Sequence, residues 1–173
     1  MPLVENGKLV EDRYLRVDDD APLPERVPVI VSAKRFLAEA DTLVRRDGSL
    51  GVMWPNDRRV VELKPWLGHL ALIALEFPKF RDGRAYSQAR QLRESLGFRG
   101  TLRATGDVLR DQFTFLVRAG FDSFAVKKPA DATAFAASVA RFRVFYQPGA
   151  DGRIPALRRR LHATDAAKTS ETV

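Results

Sequence analysis

Cationic and acidic side chains crowd into two short stretches, "FPKFRDGR" (77–84) and "RATGDVLR" (103–110), and each stretch lies at the end of a predicted strand. Guanidinium and ammonium groups bind oxyanions, and the planar fork of arginine matches two oxygens at once. These residue types predict a ligand site for a small anion. Its candidate residues are Lys79, Arg81, Asp82, Arg84, Arg103, Thr105, Asp107 and Arg110.

The same residues have a purely structural interpretation. Asp82 and Asp107 are suitable helix N-caps, and the arginines could pair with neighbours on a solvated helix face. A surface for docking another protein is a third interpretation, and the residue pattern leaves all three open. Catalysis has weaker support, because the chain contains no phosphate-loop, dinucleotide or serine-hydrolase motif. Glu76 and Asp107 could act as an acid or a base only with a perturbed pKa, so the catalytic residues are unknown.

Composition restricts the chemistry further. The chain has no cysteine, which excludes thiolate nucleophiles, disulfides and Cys-ligated clusters. His69 and His162 are the only imidazoles and are far apart in sequence, so we predict no metal site and no cofactor. The formal charge of +7 favours an anionic ligand, but no nucleic-acid-binding motif accompanies it. No apolar run approaches the ~20 residues of a membrane span, and we expect a cytoplasmic protein.

Strands and helices alternate along the middle of the chain. Strands are predicted at "VPVIVS", "SLGVMW", "HLALIALEF", "TLRATG" and "DSFAVK". The third is apolar on both sides, which indicates a central strand covered on both faces. Amphipathic helices follow, with Ser32, Asp82, Asp107 and Asp131 as predicted N-caps and with Gly48, Gly97 and Gly120 as predicted stops. "PNDRRVVELKPWLGH" holds at most a short helix, since Pro65 interrupts it.

This order predicts an α/β fold of five βα units on a mostly parallel sheet in a single domain. Both an open doubly wound sheet and a partial barrel resembling the TIM fold fit the pattern. Residues 28–147 form the predicted α/β domain. Residues 1–27 form a lead-in, in which "GKLVEDRYLRV" suggests an edge hairpin, and residues 148–173 form a basic flexible tail. In such folds ligands bind where the strands end, and the two cationic stretches lie there.

The stretch from Leu70 to Asp122 resembles DUF934, a bacterial family of unknown function often described as an oxidoreductase of sulfite reduction. "FPKFRDGRAYSQARQLRE" and "RATGDVLRDQ" carry the resemblance, which covers roughly residues 28–147. It implies a setting in assimilatory sulfate reduction, with sulfite reductase or phosphoadenylylsulfate reductase as candidate partners. It supplies no catalytic residues.

Both of those enzymes depend on cysteines, and this chain has none. The first expectation is therefore an accessory protein that binds an anion or docks on the sulfite reductase system. A small α/β enzyme acting on a phosphorylated or sulfated metabolite is the second. A pure interaction module is the third.

Overall fold

The computed structural model describes residues 2–141, 144–156 and 158–159. The strands are β1 (Leu3–Glu5), β2 (Lys8–Val10), β3 (Leu15–Arg16), β4 (Val29–Ser32), β5 (Leu50–Trp54), β6 (Leu72–Phe77), β7 (Thr101–Gly106) and β8 (Ser123–Ala125). The helices are α1 (Ala33–Leu43), α2 (Arg84–Arg90), α3 (Phe113–Ala119) and α4 (Asp131–Ala140). Two 3₁₀ helices span Val60–His69 and Arg110–Gln112, and a π-helical turn, Gln91–Ser95, extends α2.

All strands belong to one eight-stranded sheet with the order β2-β1-β8-β7-β6-β5-β4-β3. Pairing from β3 to β8 is parallel, and β1 is antiparallel to both of its neighbours. The mixed α/β class and the mostly parallel sheet are thus confirmed. The parallel strands follow chain order without the reversal that a doubly wound sheet requires, so that alternative is wrong.

The sheet is curled into a half-barrel, and its connectivity explains why. Strands β2 and β3 are the two edges of the sheet, yet only residues 11–14 separate them in the chain. A flat sheet of this many strands would be ~34 Å wide at ~4.8 Å per spacing. Five residue steps, from the end of β2 to the start of β3, reach about 18 Å at most. The edges must therefore approach each other, and residues 11–14, here called the crossing segment, bridge them.

The helices pack on the outer face of the curled sheet. Ile73, Leu75 and Phe77 of β6 point to this side and are 0–1% exposed. They join one large apolar cluster with residues of every helix, among them Phe36, Ala85, Leu92, Phe113, Leu116 and Phe135. On α2 and the turn that extends it, Ala85, Ala89 and Leu92 are all fully buried. This face is the main hydrophobic core.

The inner face carries the alternate residues of each strand. Ile30, Leu72 and Ala74 form a small separate cluster there, against which Tyr14 and Met53 pack. Strand β6 is central, as predicted, because it pairs with β5 and β7. Its second face, however, is covered by the crossing segment and not by helices.

The helix caps were predicted with mixed success. Ser32 caps α1 through a 3.0 Å bond from the Arg35 N–H, and Gly120 ends α3 in the left-handed conformation at φ 101°. Asp107 does not cap a helix: Val108 to Gln112 intervene before α3 begins. Gly83, not Asp82, is the cap residue of α2. Asp131 lies inside the first turn of α4.

The ends of the chain also contribute. An edge hairpin exists, but β1 and β2 form it around Asn6–Gly7, whose φ values of 50° and 77° suit a tight turn. Within the predicted basic tail, Asp151 pairs with Arg118 at 3.3 Å. The remainder of that tail, 157 and 160–173, lies outside the described residues. No helix of the described part of the chain is long and apolar enough to cross a membrane.

Candidate functional site

The loop that joins β6 to α2, residues 78–83, is held in place from the neighbouring βα connection. Its Phe80 N–H donates to the Asp107 carboxylate at 3.0 Å. The Gln112 amide donates to the Phe80 carbonyl at 2.7 Å. Asp107 therefore holds the β6–α2 loop by a hydrogen bond and does not cap the next helix. The two cationic stretches recognised in the sequence are indeed neighbours at the edge where β6 and β7 end.

Asp82 of the loop forms an ion pair with Arg84, the first residue of α2. The guanidinium donates to both carboxylate oxygens, at 3.0 and 2.7 Å, and the Arg84 N–H adds a longer bond of 3.3 Å. Hydrogen bonding from Arg84 holds the pKa of Asp82 well below its ordinary range. Asp82 thus largely neutralises the charge of Arg84, which favours the structural interpretation for these two residues.

Asp107 and Arg110 also have local partners. Lys127 donates to Asp107 at 2.6 Å, and this bond, with that from Phe80, lowers the pKa of the carboxyl group. Arg110 pairs with Asp131 on α4. A carboxylate with a lowered pKa stays ionised near neutral pH, so Asp107 is a poor general acid.

Lys79 and Arg81 differ from these paired residues. Both side chains lie on the exposed surface of the β6–α2 loop. Neither forms an ion pair with any acidic residue in the described ranges. Phe80, between them, is 50% exposed. Two cations and an aromatic ring are therefore presented on a loop that other residues hold in place.

Thr105 and Arg103 lie on the inner face of β7, because Leu102 and Ala104 point into the helical core. Thr105 is half-buried beside Glu76 of β6, near the carboxyl end of the sheet. Arg103 is one pleat deeper and 5% exposed. The structure does not bring Arg103 to the β6–α2 loop.

Instead, Arg103 forms a fork with Asp12 of the crossing segment. Nη1 and Nη2 donate to the two carboxylate oxygens at 2.7 and 2.9 Å. The guanidinium also lies 5.7 Å from the ring centre of Tyr14. Burial raises the pKa of the Tyr14 hydroxyl above its ordinary value. The inner face is thus a second polar region, organised around a buried guanidinium.

Sequence reasoning did not find Asp12, Tyr14 or Ser123 as parts of this region. Ser123 of β8 is fully buried beside Arg103. A signal for the orientation of Arg103 was present: in "TLRATG" the apolar Leu102 and Ala104 alternate with polar residues. No comparable signal identifies Asp12, whose contact with Arg103 spans 91 positions.

Comparison with known proteins places the chain in a family without assigning an activity. No curated protein matches it. The model of a family described as "Bacterial protein of unknown function (DUF934)" matches residues 51–157. The matched range begins at the second residue of β5 and contains β6 to β8 and the β6–α2 loop, whereas Asp12 and Tyr14 lie outside it. Because the match spans more than half of the chain, the protein belongs to the DUF934 family.

Proposed function

We propose that the protein is a cytoplasmic accessory factor of assimilatory sulfite reduction that binds a small oxyanion at the β6–α2 loop. The observation that carries the proposal is the pair of exposed cations, Lys79 and Arg81, without acidic partners in the described chain, on a loop fixed by Asp107 and Gln112. A fixed loop loses little conformational freedom when it binds a ligand. The sulfur-assimilation setting rests on the family resemblance.

The position of the loop supports a ligand site. The curled, mostly parallel sheet favours a fold of five βα units resembling part of a TIM barrel. In such folds ligands bind at the edge where the strands end, and the loop follows β6 at that edge. The excess of cations favours sulfite, sulfate or a nucleotide phosphate as the ligand.

Calorimetry tests the site directly. Sulfite, sulfate and adenosine phosphosulfate are titrated into the wild-type chain and into the Lys79→Ala/Arg81→Ala double variant. We expect affinity for at least one of the three to fall tenfold or more in the double variant, since both charges that face the ligand are lost. Lys64→Ala/Arg99→Ala removes the same charges at other exposed positions and should bind as the wild type does. Equal affinity of the two double variants would refute the site.

A growth experiment tests the proposed role in sulfur assimilation separately. A deletion strain should grow slowly on sulfate or sulfite as the sole sulfur source and normally on cysteine, because only the first two require sulfite reduction. Equal growth on all three in a strain without a second copy would remove the sulfur-assimilation role. That result would leave the binding site itself open to the calorimetric test.

A docking function is the second candidate, and Phe80 is the observation that favours it. An exposed aromatic ring flanked by two cations is the composition of a binding hot spot for an acidic protein surface. Purified sulfite reductase or phosphoadenylylsulfate reductase serves as the partner in surface-binding measurements. Phe80→Ala should weaken binding at least tenfold, while Phe115→Ala, at a ring 67% exposed on α3, should not. Equal effects of both changes would exclude docking at the loop.

The enzyme alternative has less support. Asp82 and Asp107, two of the acidic residues at the edge, both have a lowered pKa because of cationic partners. A general acid needs the opposite shift. A binding role therefore fits the edge better than proton transfer does.

A further inference from the structure

We propose that Arg103 and Ser123 form a second oxyanion site, on the inner face of the sheet, which the Asp12 carboxylate occupies as an internal substitute ligand. This site is separate from the β6–α2 loop, because Arg103 points to the inner face and is held there by Asp12. An experiment that refutes one of the two sites therefore has no bearing on the other.

The strands fix the two binding groups next to each other. Arg103 of β7 and Ser123 of β8 are direct partners in the parallel register. Both lie on the inner face, since Leu102, Ala104 and Phe124 occupy the helical side. Arg103 is 5% exposed and Ser123 is fully buried. Their placement comes from the sheet itself and does not depend on a mobile loop.

Asp12 satisfies this pair of groups only in part. Its two oxygens accept from Nη1 and Nη2 of Arg103. The Nε of Arg103 and the Oγ of Ser123 have no hydrogen-bond partner among the described residues. Buried donors without partners are uncommon in proteins, because each loses its bond to water on folding. Two such groups side by side, next to a buried charge, indicate a site built for more acceptor oxygens than a carboxylate has.

A small oxyanion with three or four oxygens would satisfy the site better. Two of its oxygens would accept from Nε and Nη2 on one edge of the guanidinium, and a third would accept from the Ser123 hydroxyl. The ring of Tyr14 lies 5.7 Å from the guanidinium and limits the space for a larger group. Sulfate and phosphate have the three oxygens that these donors require, and acetate lacks the third.

Solvent can reach the position of the substitute ligand. The side chain of Asp12 is 37% exposed, although that of Arg103 is only 6% exposed. Glu11 and Arg13, on either side of Asp12 in the crossing segment, are exposed as well. Asp12 can therefore swing out of the sheet without disturbing the helical core. An incoming anion would take its place at the guanidinium.

The test compares Asp12→Ala with Asp47→Ala, which removes an equally charged group that is 82% exposed. Tm is measured in sodium sulfate, phosphate, acetate and chloride at equal ionic strength. Sulfate and phosphate should raise the Tm of Asp12→Ala saturably, with at least tenfold tighter binding than to the wild type or to Asp47→Ala. Acetate should be weaker. Identical shifts in all three proteins would overturn the proposal.

Two further variants assign the effect to the proposed residues. Adding Arg103→Gln to Asp12→Ala should abolish the anion effect, and its survival would place the anion elsewhere. Adding Lys79→Ala/Arg81→Ala should leave it unchanged, and its loss would move the binding to the loop. If Asp12→Ala is unfolded in chloride, sulfate or phosphate should restore a cooperative transition. Failure of both anions to do so would also overturn the proposal.

Discussion

The two faces of the curled sheet differ in what they bury. The outer face packs only apolar side chains against the helices, including Leu102 and Ala104 of β7. The inner face, on the same strand, buries Arg103 and contacts Asp12 and Tyr14. Since the two sets alternate residue by residue, a single strand serves both a core and a polar region. The difference teaches that the outer face is a continuous apolar core, whereas the inner face buries a charged side chain beneath the crossing segment.

The largest effect is expected on the outer face. Ile73→Ala should lower the free energy of unfolding by about 2–5 kcal/mol, because the side chain is fully buried in the large cluster. Leu72→Ala, one residue earlier on the inner face, should cost about 2 kcal/mol or less, because its smaller cluster can collapse around the change. Denaturant melts measure both. A larger loss for Leu72 would contradict the smaller contribution expected of the inner cluster.

Breaking the buried ion pair should have the next largest effect. In chloride, Asp12→Ala should cost about 1–3 kcal/mol, since it leaves the Arg103 guanidinium buried without its carboxylate. Asp47→Ala removes an exposed partner of Arg26 and should change stability by about 0.5 kcal/mol or less. Urea melts of the two variants give the difference. Equal losses would mean that the inner pair contributes no more than a surface pair does.

Adding a hydroxyl to the outer face and removing one from the inner face compare how each face tolerates a buried polar group. Ala104→Ser should destabilise by about 1–3 kcal/mol, because it places a hydroxyl in the apolar outer cluster. Ser123→Ala should stabilise the fold by up to about 1–3 kcal/mol, since it removes a buried Oγ that makes no hydrogen bond with the described residues. Thermal and chemical melts without added oxyanion test both. A large loss for Ser123→Ala would reveal a partner for that hydroxyl.

The smallest effect on stability is expected for the ion pair between Asp107 and Lys127, which lies at the edge of the sheet and on neither face. The pKa of Asp107 is lower when folded than when unfolded, so its stabilising contribution is present above the ordinary value of 3.8 and is lost as the pH falls through the folded value. Wild-type stability should therefore decrease more below that pH than the stability of Asp107→Asn. Urea melts from pH 7 to pH 3 measure the slopes. Parallel slopes would contradict the role of Lys127 in lowering the pKa.

The parts of the fold that could be predicted were those encoded locally. "TLRATG" became β7 with the predicted bounds, and Ser32 caps α1, because alternation and capping involve only neighbouring residues. The cap predicted at Asp107 failed because a 3₁₀ turn precedes α3, and nothing in the local pattern separates an N-cap from a loop anchor. Strands β1 to β3 have at most three residues each, too few for periodicity to indicate their partners.

The residues of the candidate site could likewise be predicted only where the local pattern determines their position. The loop with Lys79 and Arg81 was predicted from the alternation of strands and helices and from composition, because loops after parallel strands meet at one edge. Arg103 was assigned to that edge although its place between Leu102 and Ala104 turns it inward. Its partner, Asp12, lies in the crossing segment, and only tertiary structure shows that contact.

The pairing of β1 with β8 has a consequence for synthesis of the chain. Val4 pairs with Phe124, so the N-terminal hairpin can join the sheet only after Ser123–Ala125 has been translated. Until then Leu3 and Val4, which are 3% and 0% exposed in the finished fold, have no strand to join on that side. Contacts of such long sequence separation slow folding. Until β8 has been synthesised, β1 therefore has an open strand edge on the side that β8 covers in the finished fold.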